Sequence, residues 1–196
     1  MPLIRETIVS TVDRSGRVHF APLGLIAEGD GWIIAPFHPS ATLENLRETP
    51  FAAANFTDDV RVFAGCLTGR GEWPSKACEE IPVPRLAQAL AHSELTVTHI
   101  GQDEQRPRFH CRVLRTVSHA PFKGFNRAQA AVIEAAILVS RLQLLPREKI
   151  EREMHYLEIA IGKTASAHEL EAWNWLVDAV TASYAGGDTQ NPADSP

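Results

Sequence analysis

The hydrophobic pattern of the chain changes its period once, near Pro121, and this change restricts the folds that the chain can adopt. Before Pro121, apolar and β-branched residues alternate with polar ones in short runs such as Glu6–Val12. Turns such as Asp13–Gly16 and Glu28–Gly31 separate these runs. A period of two is typical of half-buried strands, and short strands joined by such turns favour an antiparallel barrel or sandwich.

After Pro121 the apolar residues recur every three or four positions, which is the period of an amphipathic helix. Arg127–Leu145 forms the first predicted helix. Pro146 opens a second helix that Gly162 closes, and Ser166 with Glu169 forms a capping box for a third. The residues of this third helix predicted to face the core are Leu170, Trp173, Val177, Val180 and Tyr184.

The sequence therefore predicts an α+β protein in three parts. These are a β-barrel over residues 1–120, a three-helix bundle over residues 121–186 and a disordered polar tail over residues 187–196. Val60–Leu67 fits either a helix or a strand. Residues 69–84 are rich in glycine and proline and predict an irregular excursion.

Composition limits the partners that the chain can have. A formal net charge of -5 over 196 residues argues against nucleic acid or an anionic membrane surface. The first residues reach Arg5 and Glu6 without an apolar run, so they do not resemble a secretory signal. The three cysteines are odd in number and unpaired in spacing, which is typical of reduced thiols. We expect a cytoplasmic protein that binds neither nucleic acid nor membrane.

A strand that feeds a hydroxyl-rich helix start is the strongest candidate binding feature. Ser40, Thr42 and Asn45 lie at the beginning of a short predicted helix. Backbone N–H groups there lack intrahelical partners, and the helix dipole favours an anion, so the segment suits a phosphate. The alternative is an ordinary N-cap on a surface helix.

Two neighbouring segments admit a structural and a functional interpretation. Pro22 has no N–H and Gly24 has no side chain, which fits either an edge strand with a bulge or a planar ligand against exposed backbone. Asn55–Asp59 fits a turn with a helix cap, or two adjacent acids that form a catalytic pair or a metal site.

The junction between the two predicted regions carries two cations. Lys123 and Arg127 fit a linker with a helix cap at Asn126, or a cationic pair near an anionic ligand. The histidines show no zinc-binding spacing, and neither a nucleophile elbow nor a Gly-rich phosphate loop is present in the sequence. We therefore expect no metal site and identify no catalytic residue.

In their order along the chain, these segments resemble a known family. They are Glu6–Thr11, Ala21–Gly24, Ser40–Leu46, Asn55–Asp59 and Asn126–Ile137. Together they are similar to a branch of the FMN-binding split-barrel proteins, the domain-of-unknown-function family four-four-seven, found in archaea and in some bacteria, including methylotrophs. The resemblance spans roughly residues 5–180.

The resemblance implies a six-stranded split β-barrel, a homodimer and FMN near the dimer interface. Residues that map onto the FMN phosphate site are Ser40, Thr42 and Asn45, and those that map beside the flavin ring are Ala21, Pro22, Leu23 and Gly24. Asn55, Lys123 and Arg127 complete the expected cofactor-binding set. The Lys-Asp pair that precedes the threonine in many flavin reductases is missing here, so the phosphate cation stays open among Arg5, Arg47, Arg61 and Arg127.

Two functions follow as hypotheses. The first is an FMN-dependent oxidoreductase of flavin reductase-like type, in which the flavin carries electrons and no side chain need act as a nucleophile. The second is a non-catalytic module that binds FMN or a small ligand, with a link to one-carbon metabolism suggested only by where the family is found.

Overall fold

The computed structural model describes residues 2–101, 103 and 106–187. The chain divides into two compact units. The barrel unit contains the chain up to Asp58 together with Gly71–Lys123, and the helical unit contains Asp59–Arg70 and the chain from Gly124. The predicted tail, apart from residue 187, lies outside the described residues.

The barrel unit contains eight described strands and one helix. They are β1 (Ile4–Val12), β2 (Val18–Glu28), β3 (Gly31–Ile34), α1 (Ala41–Glu48), β4 (Phe51–Phe56), β5 (Ser75–Lys76), β6 (Arg85–Leu86), β7 (Ala91–Gly101) and β8 (Arg108–Ser118). Six strands form a closed antiparallel barrel in the order β1-β2-β3-β8-β7-β4, and β5 pairs with β6 in a separate small sheet. The predicted barrel followed by C-terminal helices is confirmed.

The register of β1 with β2 runs without a shift from Ile4↔Ile26 to Val12↔Val18. Pro22 pairs with Ile8 inside this regular ladder, so the bulge that was one interpretation of this segment is wrong. A proline fits because β3 pairs only with the end of β2, at Ile26–Glu28, so the other edge at Pro22 needs no ladder hydrogen bond. The described irregularities lie between β7 and β8 instead, at Glu94/Leu95 and Val97/His99.

Apolar residues from all six barrel strands and from α1 form one cluster inside the barrel. Its fully or nearly buried members are Val9, Leu25, Ile34, Leu43, Leu46, Ala52, Ala54, Leu95, Phe109 and Cys111. Ala53 lies between two of these residues on β4 but packs in another cluster, with Val12, Ile81 and Val83. Since successive side chains of a strand face opposite sides, the segment that carries Ile81 and Val83 covers the outer face of the sheet.

That covering segment, residues 71–90, contains most of the irregular excursion predicted over residues 69–84, and polar side chains hold it to the sheet. The Ser10 hydroxyl donates to the Pro84 carbonyl at 2.7 Å. The Leu86 N–H donates to Oδ1 of Asn55 at 2.7 Å. A segment with so little regular structure is therefore fixed by side chains of the strands beneath it.

The helical unit consists of α2 (Arg61–Leu67), α3 (Arg127–Val139), α4 (Arg147–Thr164) and α5 (Ala167–Gly187). The ambiguous segment Val60–Leu67 is thus mainly helical. It packs with the C-terminal helices through Val60 and Ala64, although the sequence division at residue 120 assigns it to the barrel. Its packing partners lie more than 60 residues further along the chain, beyond the reach of a local pattern.

Three details of the predicted helices differ from the structure. α3 ends at Val139 rather than Leu145, and α4 continues through Gly162 to Thr164. Leu170 and Val177 on α5 are exposed, whereas Ala172 and Leu176 are buried. The buried stripe is therefore rotated toward Glu169, a residue of the capping box, which is itself buried. Within the described residues, no helix combines the length and apolar character needed to cross a membrane.

Candidate functional site

The start of α1 is capped as predicted. Ser40 has extended backbone, and its hydroxyl accepts the N–H of Leu43 at 3.3 Å. Thr42 and Asn45 are buried, so both face the barrel rather than solvent. Glu44 is the acid in the first turn.

Asn45 fastens α1 to the barrel. Its Nδ2 donates to Thr11 Oγ1 on β1 at 2.9 Å, and both side chains are buried. Leu43 and Leu46 enter the barrel core on the same face of the helix. The orientation of the helix start is therefore fixed by packing on one side and by a buried hydrogen bond on the other.

An arginine that the sequence analysis did not consider lies beside the segment that leads into α1. Nε of Arg106 donates to the carbonyl of Ala35 at 2.7 Å. Its guanidinium carbon lies 4.5 Å from the ring centroid of Phe37, in a cation–π contact. No short-range pattern predicts this contact, because Arg106 follows β7 and is 71 residues from Ala35 in sequence.

The four sequence candidates on β2 are half-buried. Ala21, Pro22, Leu23 and Gly24 pair with β1, and the carbonyl of Leu23 accepts the hydroxyl of Thr7 at 2.9 Å. A Cβ at Gly24 would meet Cγ2 of Ile4 at 2.9 Å and Oε1 of Glu6 at 3.2 Å. Gly24 therefore has a packing reason for lacking a side chain.

Asn55 is used entirely within the protein. It is fully buried, and its Nδ2 donates to the carbonyls of Ile8 and Ala53 and to Ser10 Oγ. Its Oδ1 accepts the N–H of Leu86. The amide joins β1, β4 and β6, which is a structural role that needs no ligand.

Most of the cations that the sequence offers for the phosphate are exposed. Lys123 and Arg127 are both exposed, the first in the barrel unit and the second at the start of α3 in the helical unit. The alternatives Arg5 and Arg47 are also exposed.

Arg61 is committed to the helical unit. It pairs with Asp59 at 2.7 Å and with Glu171 at 3.4 Å. The hydrogen bonds that the Arg61 guanidinium donates to the carboxylate of Asp59 are the main reason that the pKa of Arg61 is raised.

In the barrel unit, Arg106 therefore contacts the segment that leads into the start of α1, through Ala35 and Phe37. Donors of the α1 N-terminus, the hydroxyl of Ser40 and one guanidinium are a set of groups that can bind a phosphate dianion. The flat, half-buried backbone of β2 belongs to the same unit.

Comparison with solved structures shows the fold. The FMN-bound protein MM1853 from Methanosarcina mazei matches with a TM-score of 0.81 at 22% identity, covering 91% of this chain and 96% of that chain. The 2-nitrobenzoate 2-nitroreductase NbaA from Pseudomonas fluorescens matches with a TM-score of 0.51 at 19% identity, covering 61% of this chain and 66% of that chain. Flavoredoxin from Methanosarcina acetivorans gives 0.51 at 14% identity, with coverages of 61% and 69%.

Family comparison agrees with these likenesses. No curated protein matches the chain. Two family models do match: the "Protein of unknown function (DUF447) N-terminal domain" over residues 5–120, and "Protein of unknown function (DUF447)" over residues 126–178. These matches cover most of the barrel and the C-terminal helices, and the chain therefore belongs to the DUF447 family, whose barrel here has the architecture of the FMN-binding split-barrel proteins.

Proposed function

We propose that this protein binds FMN and acts as an oxidoreductase of flavin reductase-like type. The observation that carries the proposal is the capped start of α1, which packing and a buried hydrogen bond hold in a fixed orientation. The fold that contains it matches, over 91% of this chain, that of a protein solved with FMN bound. The absence of a nucleophile motif from the sequence agrees with it, because a flavin supplies the redox chemistry itself.

The phosphate end of FMN is assigned to α1. Backbone N–H groups of the first turn and the hydroxyl of Ser40 are the proposed donors, whereas Thr42 faces the barrel and is left outside the phosphate contact. Asn45 acts indirectly in this proposal, by holding the helix to Thr11.

Arg106 is the proposed phosphate cation. It already contacts the segment between β3 and α1 through Ala35 and Phe37. Arg47 suits the role less well because it lies in the last turn of α1, where the helix dipole repels an anion.

The isoalloxazine ring is assigned to the backbone of Ala21–Gly24. This stretch is regular, and in the described register its edge on the side of β3 has no strand partner, because β3 pairs with β2 only from Ile26 onward. Backbone N–H and C=O groups on such an edge can bind the polar rim of a flavin ring. Lys123, Arg127 and Asn55 are left outside the proposed site, the last because its polar atoms are already bonded.

A homodimer is part of the proposal. Uncovered strand edges in soluble proteins are paired or shielded, and a second copy would cover the edge of β2 while closing the ring site. Sedimentation equilibrium of the purified protein tests this point. A monomer at all concentrations that retains FMN would contradict it.

Cofactor binding is tested by the absorption spectrum of the full chain after incubation with FMN and desalting. Arg106→Gln should weaken FMN binding about 10-fold, the loss of one charge-assisted hydrogen bond. Arg47→Gln removes an arginine from the last turn of α1, away from the proposed phosphate site at its start. This variant is the matched control and should bind FMN like the parent. The absence of a retained flavin band at any FMN concentration would overturn the proposal.

Catalysis needs a separate experiment. Mixing the FMN-loaded protein with NADH or NADPH under anaerobic conditions should bleach the flavin absorbance at a rate far above that of free FMN. Retained flavin that neither donor reduces would favour the non-catalytic binding module.

A further inference from the structure

A cluster of metal-ligating side chains lies in the barrel unit outside the proposed flavin site. Cys78 belongs to the covering segment 71–90, while His92 and Glu94 are two residues apart on β7. Their potential ligand atoms all lie within 4.8 Å of one another. His92 and Glu94 are almost fully buried, and Cys78 is half-buried.

We propose that Cys78, His92 and Glu94 bind a divalent cation of the Zn²⁺ type. One thiolate, one imidazole and one carboxylate form a ligand set that zinc accepts and that magnesium and calcium do not favour. Three protein ligands leave the fourth tetrahedral position for water. This inference does not rest on the proposed flavin chemistry.

The ring nitrogens of His92 are already divided between two partners. Nε2 lies 3.3 Å from Oε1 of Glu94, and Nδ1 lies 2.9 Å from Nε2 of the exposed His119. A cation between His92 and Glu94 would replace the first contact and keep the second. Histidine ligands usually hydrogen-bond through the other ring nitrogen, and with the cation bound Nε2 of His119 would accept the hydrogen bond from Nδ1 of His92.

The carboxylate is oriented in the same manner. The backbone N–H groups of Glu79 and Glu80 donate to the two oxygens of Glu94, at 3.1 and 2.7 Å. Each oxygen keeps a second lone pair for a cation. Each of the two β7 ligands therefore has a partner that fixes its direction.

The distances require at most a small contraction. Zinc bonds of 2.0 to 2.3 Å hold tetrahedral ligand atoms about 3.3 to 3.7 Å apart, and the ligand atoms here lie within 4.8 Å of one another, so any shortening on binding is at most about 1.5 Å. Cys78 lies in an irregular segment that can supply this movement. Binding would then tie the covering segment to β7.

A bound cation would also change the ionisation of the Cys78 thiol. Burial, followed by the charge of Glu94, raises the pKa of Cys78 to about 12 in the protein without a cation. The thiol is therefore neutral at pH 7, which disfavours a reactive nucleophile at this position. A bound divalent cation reverses the local charge and deprotonates a coordinating thiol.

Cobalt substitution tests the proposal on the full chain, because a thiolate bound to Co²⁺ gives a charge-transfer band in the near ultraviolet. After treatment with a chelator, the protein should bind one equivalent of Co²⁺ with this band, and Zn²⁺ should displace it. Cys78→Ser should abolish the band and weaken Zn²⁺ binding on the order of 100-fold or more, as expected when a ligand is lost. Cys66→Ser, at a half-buried cysteine of the helical unit, is the matched control and should leave both unchanged.

The positioning role of His119 has its own variant. His119→Gln changes an exposed side chain and should weaken Zn²⁺ binding about 10-fold while keeping the thiolate band. The proposal is overturned if the parent protein binds Co²⁺ without a thiolate band. It is also overturned if Cys78→Ser, shown to be folded by circular dichroism, binds Zn²⁺ as tightly as the parent.

Discussion

The two units bury very different side chains. Of the ten buried polar or charged residues described, nine belong to the barrel unit and one, Glu169, belongs to the helical unit. The helical core is built from alanine, valine, leucine and isoleucine with one methionine and one tryptophan. Buried polar groups are costly unless bonded, so the barrel depends on specific partners, whereas the helical unit depends on apolar area.

This contrast predicts that polar substitutions have different consequences in the two units. Hydrogen-bonded polar side chains in the barrel hold α1, the covering segment and the Cys78 cluster in defined orientations. Substitutions at these groups should cost more than substitutions at equivalent polar groups of the helical unit. The following variants test that difference, from the largest expected effect to the smallest.

Asn55→Ala should lower the free energy of unfolding by about 3 kcal/mol, because it leaves the buried Leu86 N–H and the carbonyl of Ile8 without their partner. Urea denaturation followed by circular dichroism measures the change. The matched control in the helical unit is Asn126→Ala, which removes the cap of α3 and should cost only about 1 kcal/mol. Equal costs would remove the proposed contrast between the units.

Gly31→Ala should destabilise the barrel by about 2 kcal/mol, because the new Cβ would lie 2.3 Å from the backbone oxygen of Cys111. The clash is with backbone, so β3 and β8 must separate where Trp32 pairs with Cys111. Thermal unfolding provides the measurement. An unchanged melting temperature would mean that this strand pair tolerates a wider spacing than the structure has.

Glu169→Gln should lower stability by about 1 kcal/mol at pH 7, since it weakens the capping box of α5. Burial alone would raise the pKa of Glu169, but the hydroxyl and N–H of Ser166 and the amide of Gln129 outweigh it and lower the pKa below 4.5. Its ionised form therefore stabilises the fold above pH 4.5, and this contribution is lost as the pH falls through the folded-state pKa.

Melting curves of the parent and Glu169→Gln at pH 7 and at successively lower pH measure this loss. The two curves should converge on acidification. A difference that stays constant below pH 4.5 would show that the charge of Glu169 has no part in the cap.

Gly162→Ala should stabilise the helical unit by about 0.5 to 1 kcal/mol. Gly162 lies within α4 with no atom near its added Cβ, and alanine has the higher helix propensity. Chemical denaturation measures this gain. A loss of stability instead would indicate a partner that closely approaches α4 at this position.

Much of the fold follows from local sequence patterns. The structure confirms the change of period near Pro121, the cap at Ser40 and the capping box at Ser166. The sequence could predict them because each depends on residues only a few positions apart. The family resemblance supplied the closed six-stranded barrel, which alternating strands alone leave open to a sandwich.

The contacts of the candidate site could not be predicted from local sequence patterns. Asn55 is an example: its sequence context suggested a turn or a ligand contact, whereas the register of β1 with β4 and the position of β6 give all its bonds. Arg106 lies between β7 and β8 and reaches the segment before α1 because β3 and β8 are paired.

The sequence by itself determined where strands give way to helices, where helices begin and which family the chain resembles, since these signals are local or ordered along the chain. Only the tertiary structure decided which polar groups meet: Asn45 with Thr11, Arg106 with Ala35, and Cys78 with His92 and Glu94. Such partners are separated by up to 71 residues, and strand register and packing bring them together.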